Sequence, residues 1–165
     1  MPIRQRNINP FRSQLGAELF YVRVGTITAD WQDGFIVEAE YVDILELGLT
    51  WGAFTGGTTP TIACRVEYRT SGATSSLLNA AKGNTLFTGT AQSSASGGQF
   101  SQVLLPGQAR ALPINPTTLA TGSTGLDTTK KWVAPHLSVI LTGSPTNVAE
   151  VAAWMRYRVY KGEDI

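Results

Sequence analysis

The chain has 165 residues, the size of one domain with a single hydrophobic core. Only 15% of the residues are charged, and 13 basic against 12 acidic side chains leave a net charge of +1, so we expect neither nucleic acid nor a membrane as a partner held by charge. One cysteine and one histidine exclude an internal disulfide and metal sites built from several Cys or His ligands, and we expect no cofactor.

The first 14 residues predict an extended amino-terminal arm. They contain two prolines and show no hydrophobic period, which disfavours a core element. In this arm, Arg4, Arg6, Phe11 and Arg12 are the side chains that we expect to contact neighbouring subunits. No apolar stretch follows the arginines, so a secretory signal is not expected. Residues 15–165 are expected to form a single domain.

Alternating apolar side chains predict two early strands. The first covers Leu15–Ile27, with Leu19 and Tyr21 expected to face inward. In Phe35–Trp51 the odd positions are mostly apolar, which predicts one long strand or two short ones with one buried face. Asp43 interrupts the apolar row, so a bend or bulge is expected near it.

Two hairpins are predicted around loops of Gly, Thr and Pro. The first runs from about residue 44 to residue 70 and turns at 55–60. The second joins Trp132–Thr142 to a strand containing Val151–Val159 and turns at 143–147. A helix is conceivable over 148–154, where Ala is frequent, but the following Tyr and Val residues favour a strand.

The middle of the chain is less regular. Short strands are predicted at 86–90 and 100–105, another near 111–114, and a helical turn near 77–81. No segment shows a sustained helical period. Strands without intervening helices predict an all-β fold, an antiparallel β-sandwich or jelly roll that carries the extended arm.

Two carboxylates and two lone reactive side chains are candidate sites of chemistry. Glu38 and Glu40 share a strand face at a spacing compatible with glycoside hydrolysis, but a solvated face or a polar contact between subunits is favoured. His136 is read as a structural histidine. Cys64 lies on the apolar side of its strand, so a buried, unreactive thiol is favoured. We therefore expect no enzymatic activity.

Loop carboxylates and tryptophans offer weaker signals. Asp30, Asp33 and Asp127 could contribute to a calcium site, but they lack the Asp-x-Asp-x-Asp spacing. Trp51 lies on the predicted buried side of its strand. Trp31 sits in a predicted loop and is the candidate for sugar stacking, although packing in the core or at a subunit interface is favoured for the aromatic residues as a group.

Four segments resemble small structural proteins of tailed bacteriophages, above all the head-decoration (cement) proteins. The segments are Trp31–Tyr41, Leu45–Ala53, Gly57–Ile62 and Leu137–Thr146. Such proteins are often jelly rolls or β-barrels that trimerise on the capsid, with an arm that reaches neighbouring subunits. The resemblance covers about two thirds of the chain in style, and no single residue in it is specific.

The resemblance implies a non-enzymatic virion protein that binds and reinforces the capsid shell. Its partners would be the major capsid protein and two further copies of itself, and it would be made in the host cytoplasm and lie on the capsid surface. We expect subunit contacts on the even-numbered face around Ile36–Glu46 and on the last strand, where Arg156 and Arg158 could pair with Glu38 or Glu40. A phage tail or fibre component and a carbohydrate-binding β-sandwich remain alternatives.

Overall fold

The computed structural model describes residues 16–70, 84–115 and 126–162. These ranges contain eleven strands and no helix, and therefore no helix that could cross a bilayer. The strands are β1 (Ala17–Ile27), β2 (Trp31–Gly34), β3 (Val37–Glu38), β4 (Tyr41–Trp51), β5 (Phe54–Thr55), β6 (Thr61–Arg69), β7 (Asn84–Thr88), β8 (Gly98–Val103), β9 (Arg110–Ala111), β10 (Trp132–Thr142) and β11 (Asn147–Tyr160). The predicted arm and the helical turn near 77–81 lie outside the described residues.

The strands form two antiparallel sheets that pack face to face. Sheet A has the order β1-β11-β4-β8, with β5 beside β11 and β9 beside β4. Sheet B has the order β2-β10-β6-β7, with β3 beside β10. The first and last long strands lie side by side, and the chain passes repeatedly from one sheet to the other, which is the double Greek key of a jelly roll. The all-β sandwich predicted from the alternation is confirmed.

Both predicted hairpins are wrong, although most of their strands are correct. β4 belongs to sheet A and β6 to sheet B, so the Gly/Thr/Pro loop between them crosses the sandwich. The same holds for β10 and β11. Instead, β4 pairs with β11 and β6 pairs with β10. The two loops that cross from one sheet to the other therefore lie against each other. Backbone hydrogen bonds join them, from Thr58 N to Gly143 O at 2.8 Å and from Thr146 N to Thr55 O at 2.7 Å.

The inward face of β1 is the opposite of the predicted one. Leu19 and Tyr21 are 57% and 56% exposed, respectively. Phe20 turns inward instead, and its ring centroid lies 5.6 Å from that of Phe35. Both faces of β1 carry apolar side chains, so alternation within this strand cannot tell inside from outside.

A β-bulge lies in β4 near Asp43, as predicted. Tyr157 pairs with Ile44 and Arg156 with Glu46, so Leu45 has no partner opposite it in β11. An extra residue exchanges the two faces of a strand. The even-numbered Val42 and Ile44 are therefore fully buried before the bulge, and the odd-numbered Leu47 and Leu49 after it. The predicted contact face around Ile36–Glu46 is wrong at Val42 and Ile44, which lie in the core.

The core fills the space between the sheets with aliphatic side chains. Sheet A supplies Leu47, Leu49 and Met155, and sheet B supplies Ile62, Val66, Leu137 and Val139, all with no exposed surface. Trp51 also belongs to this core, as predicted, at 5% exposure. Because the inner faces cover each other, a partner must bind at an outer face or at an edge of the sandwich.

Candidate interaction surfaces

The outward side chains of sheet A form a continuous surface, here called face A. Its members follow from the strand registers, the bulge and the exposure of the side chains: Ala17, Leu19, Tyr21 and Arg23 of β1; Tyr41, Asp43, Glu46, Gly48 and Thr50 of β4; Gln99, Ser101 and Val103 of β8; Arg110 of β9; and Glu150, Ala152, Trp154, Arg156, Arg158 and Tyr160 of β11. Leu105 lies two residues after the end of β8, and Leu112 directly follows β9.

Face A gathers the exposed large apolar groups of the described part of the chain. Val103 is 77% exposed and Leu105 73%, and Leu112 and Tyr160 are also exposed, together with Leu19 and Tyr21 of β1. No strand of sheet B contributes a large exposed apolar side chain within the described ranges. Exposed apolar groups gathered on one side of a small domain mark a surface for a partner.

Trp154 lies flat across the middle of face A. A Cβ atom placed on Gly48 would overlap the Trp154 indole ring, so the ring rests on the glycine backbone of the neighbouring strand. Tyr21 stands opposite Trp154 on the other side, in β1. Glycine at position 48 thus gives a bulky aromatic ring room to lie along the sheet and to show its other side to solvent.

A ladder of side chains stiffens the end of face A beyond the bulge. The Arg110 guanidinium donates to both carboxylate oxygens of Asp43, at 2.8 and 3.0 Å. It also lies 3.9 Å from the ring centroid of Tyr41, which stacks on Tyr160 with centroids 4.6 Å apart. The hydrogen bond to Asp43 raises the pKa of Arg110. These contacts hold the aromatic rings in one arrangement.

The outward side of sheet B, here called face B, is polar and largely closed. Glu67 is 2% exposed; one carboxylate oxygen lies 2.5 Å from Arg65 Nε, and the other accepts a hydrogen bond from Ser138 Oγ at 3.2 Å. His136 stands opposite Glu67 in β10 and is also 2% exposed. The predicted structural histidine is therefore buried among polar side chains on the outside of sheet B.

Glu38 and Glu40 lie at the edge of an open groove with a volume of about 260 Å³. Lys130 Nζ lies 3.2 Å from Glu38 Oε2, and Lys131 Nζ lies 2.6 Å from Glu40 Oε2. Lys161 also lines the groove. Each carboxylate thus has an ammonium partner within the chain.

The pairing of Arg156 and Arg158 with these glutamates is predicted between subunits, and it stays a prediction. Within the chain, the Arg156 guanidinium lies 3.6 Å from Glu46. Arg158 stands opposite Asp43 and Ala17 in the strand registers. The other predicted contact residues, Arg4, Arg6, Phe11 and Arg12, lie outside the described residues.

Cys64 is fully buried on the inner side of sheet B, as predicted. Burial raises the pKa of its thiol from 9.0 to about 12. The neutral thiol therefore dominates at neutral pH, and it is neither a nucleophile nor a metal ligand in that form.

The three loop aspartates are not brought together. Asp30 accepts from the backbone of Leu141 and Asp33 from that of Gly34. Asp127 accepts from both the backbone and the hydroxyl of Thr129, and these bonds lower its pKa. Across the described ranges, no three His, Cys, Asp or Glu residues are grouped as metal ligands.

The aromatic residues on the surface differ from the predicted candidate. Trp31 is half-buried and packs against the core. Sequence reasoning did not single out Tyr21, which is 56% exposed, or Trp154, which is half-buried on the outer side of sheet A, because their positions depend on the register that sets Trp154 between Tyr21 and Gly48. Gly48 within a strand was the local signal, since an interior glycine often marks the close approach of another group.

No protein-family model matches the chain, and no curated protein matches it in sequence. Among solved structures, the chain is similar to a structure of infectious bursal disease virus, Gx strain, with 8% identity and a TM-score of 0.28 over 88% of this chain and 34% of that chain. It is also similar to the T13 particle of the same virus, with 9% identity and a TM-score of 0.30 over 90% of this chain and 41% of that one. A third similarity, to the VP2 subviral particle, has 10% identity and a TM-score of 0.27 over 88% and 42% of the two chains.

The chain thus spans about two fifths of the length of these viral proteins. TM-scores this low do not establish a shared fold. The jelly-roll assignment therefore rests on the strand order of this chain itself.

Proposed function

We propose that this chain is a virion structural protein that binds and reinforces a capsid shell as a decoration, or cement, protein of a tailed bacteriophage. The role involves no chemical step. The partners are the major capsid protein and further copies of the chain in a homotrimer. The protein is made in the host cytoplasm and lies on the capsid surface.

The observation that supports this proposal is the inequality of the two outer faces. Face B directs its buried charges to partners within the chain, such as Glu67 to Arg65. Face A leaves aliphatic and aromatic groups such as Leu19, Tyr21 and Val103 in solvent. A protein that works by attachment needs such a face, because burying apolar area drives most protein association.

The experiment mixes the full-length protein with capsid shells prepared without it. We expect the protein to co-sediment with the shells, to saturate at a fixed number of copies per shell, and to raise the temperature at which the shells rupture. Native mass spectrometry of the free protein measures its oligomeric state. Failure to bind shells, together with labelling of tails rather than heads in electron micrographs, would move the assignment to a tail or fibre component.

The carbohydrate-binding alternative is favoured by one observation, the flat Trp154 ring beside Tyr21. A ring that exposes one side on a flat sheet can stack against the apolar side of a sugar. A glycan array tests this function with Trp154→Ala as the informative variant and Trp31→Ala as the control. Glycan binding that depends on Trp154, without any binding to shells, would replace the decoration proposal.

A further inference from the structure

We infer that face A is the docking surface and that it is built for an acidic protein surface. This inference rests on the proposed function, because it identifies the surface and the partner chemistry through which the chain attaches. Two properties of face A support it: its net positive charge, and its ordered aromatic side chains beside arginines.

The charge of face A is unbalanced. It carries four arginines, at positions 23, 110, 156 and 158, against Asp43, Glu46 and the exposed Glu150 of β11, which leaves an excess of one positive charge. Asp43 is 4% exposed and engaged by Arg110. Glu18 belongs to the other side of β1, where it accepts a hydrogen bond from the Tyr157 hydroxyl at 2.7 Å. The complementary partner surface is therefore acidic.

Arginine beside aromatic rings is the composition of energetically dominant contacts in protein interfaces. On face A, Arg156 stands between Leu19 and Glu46, and Trp154 lies in the next row with Tyr21. Lysine, which is depleted in interfaces, is absent from the outward positions of the described strands of sheet A. The Arg110, Tyr41 and Tyr160 ladder and the seated Trp154 ring are ordered in advance, which reduces the entropy lost on binding.

Two other occupants fit less well. A second copy of the chain meeting face A with its own face A would bring two positive surfaces together, which like-charge repulsion opposes. Nucleic acid would satisfy the arginines but would leave Leu19, Val103 and Leu105 against phosphates, with no apolar surface to bury them. An acidic protein surface with apolar pockets satisfies both kinds of side chain.

The test measures the affinity of the full-length protein for shells prepared without it, by co-sedimentation at about 50 and about 500 mM NaCl. The informative variants are Arg23→Glu and Arg156→Glu, singly and together, and Leu19→Ser. Lys130→Glu is the matched charge reversal away from face A, at an exposed site. Thermal unfolding of each variant separates lost binding from lost folding.

Each face A variant should weaken binding about tenfold, and the double variant more. The tenfold increase in salt should weaken wild-type binding several-fold, and Lys130→Glu should bind like the wild type. Wild-type binding that all face A variants retain would overturn the inference but leave the proposed function standing. An absence of wild-type binding would instead remove the proposed function. A third outcome is that the wild type binds single-stranded DNA but not shells, and that the face A variants bind the DNA more weakly. This outcome would assign face A to nucleic acid.

Discussion

The two outer faces of this sandwich use their polar and apolar groups in opposite ways. Face B buries polar groups: Glu67 and His136 are each 2% exposed, Glu67 contacts Arg65 and Ser138, and His136 stands opposite Glu67. Face A leaves hydrophobic groups uncovered, with Val103 at 77% exposure. A buried ion pair makes a face sensitive to mutation, whereas an uncovered apolar group adds little to the stability of the free chain. Face B therefore contributes to folding, and face A remains available for binding.

The largest expected effect is on face B, from Glu67→Ala. This change leaves Arg65 and Ser138 without the carboxylate that they share, in a site that is nearly closed to water. Because Arg65 is 31% exposed, we expect a loss of about 2–4 kcal/mol, somewhat below that for a fully buried pair. Equilibrium unfolding in urea measures it. Glu67→Gln, which keeps the hydrogen-bonding capacity, should lose less, and equal stability of all three proteins would contradict the contrast between the faces.

High pH should lower the stability of the protein through one buried group on the inner face of each sheet. Burial raises the pKa of Cys64 in sheet B to about 12, and burial together with the bond to Glu18 raises the pKa of Tyr157 in sheet A. Both groups lose their protons at lower pH in the unfolded chain than in the folded one. Stability is therefore fully retained below about pH 9 and falls between about pH 9 and 12, by at most about 1.4 kcal/mol per pH unit for each group.

Urea unfolding at several pH values tests this dependence. The slope above pH 9 should be smaller in Cys64→Ala than in the wild type, because one of the two groups has been removed. Stability that does not change with pH up to about 12 would show that neither group is protected by burial.

A smaller effect is expected on face A from Gly48→Ala. The new methyl group takes the space of the Trp154 ring, so the ring must swing off the sheet. We expect a cost of about 1 kcal/mol and a shifted indole resonance of Trp154 in an NMR spectrum. Shell binding should fall with the displaced ring. An unchanged resonance would mean that the ring does not rest on Gly48, and Thr50→Ala in the same strand is the control.

The smallest effect is expected at the groove between the faces, from Glu38→Ala. Its ion pair with Lys130 is about half exposed on both sides, and such pairs add less than about 0.5 kcal/mol. Thermal unfolding at low and high salt checks it. A loss as large as that of Glu67→Ala would show that exposure does not explain the difference between the two sites.

Strand positions could be predicted from the sequence more reliably than strand partners. β6 shows the success: Ile62, Cys64 and Val66 alternate with Ala63, Arg65 and Glu67, and the three apolar side chains of the first set are fully buried. β1 shows the failure, because Leu19 and Phe20 are equally apolar and only the neighbouring strand decides which turns inward. The loops after β4 and β10 have the composition of hairpin turns, but they cross between the sheets.

Trp154 and Tyr21 were missed because their positions depend on contacts far apart in the chain. The Trp154 ring lies over Gly48, which precedes it by more than one hundred residues and stands opposite it in the β4–β11 register. Likewise, Glu38 meets Lys130 only because β3 pairs with β10 near that end of the sandwich. No local pattern contains either juxtaposition.

The amino-acid sequence by itself determined that this chain is an all-β protein with a buried thiol and a bulge near Asp43, because alternation, turn composition and a charge in an apolar row are local properties. Tertiary structure alone decided which sheet each strand joins, which side of β1 and β4 faces the core, and which side chains meet on face A. Strand pairing is set by the total burial over the whole domain, and a single inserted residue at Leu45 exchanges the two faces of a strand without leaving a distinct signal in its composition.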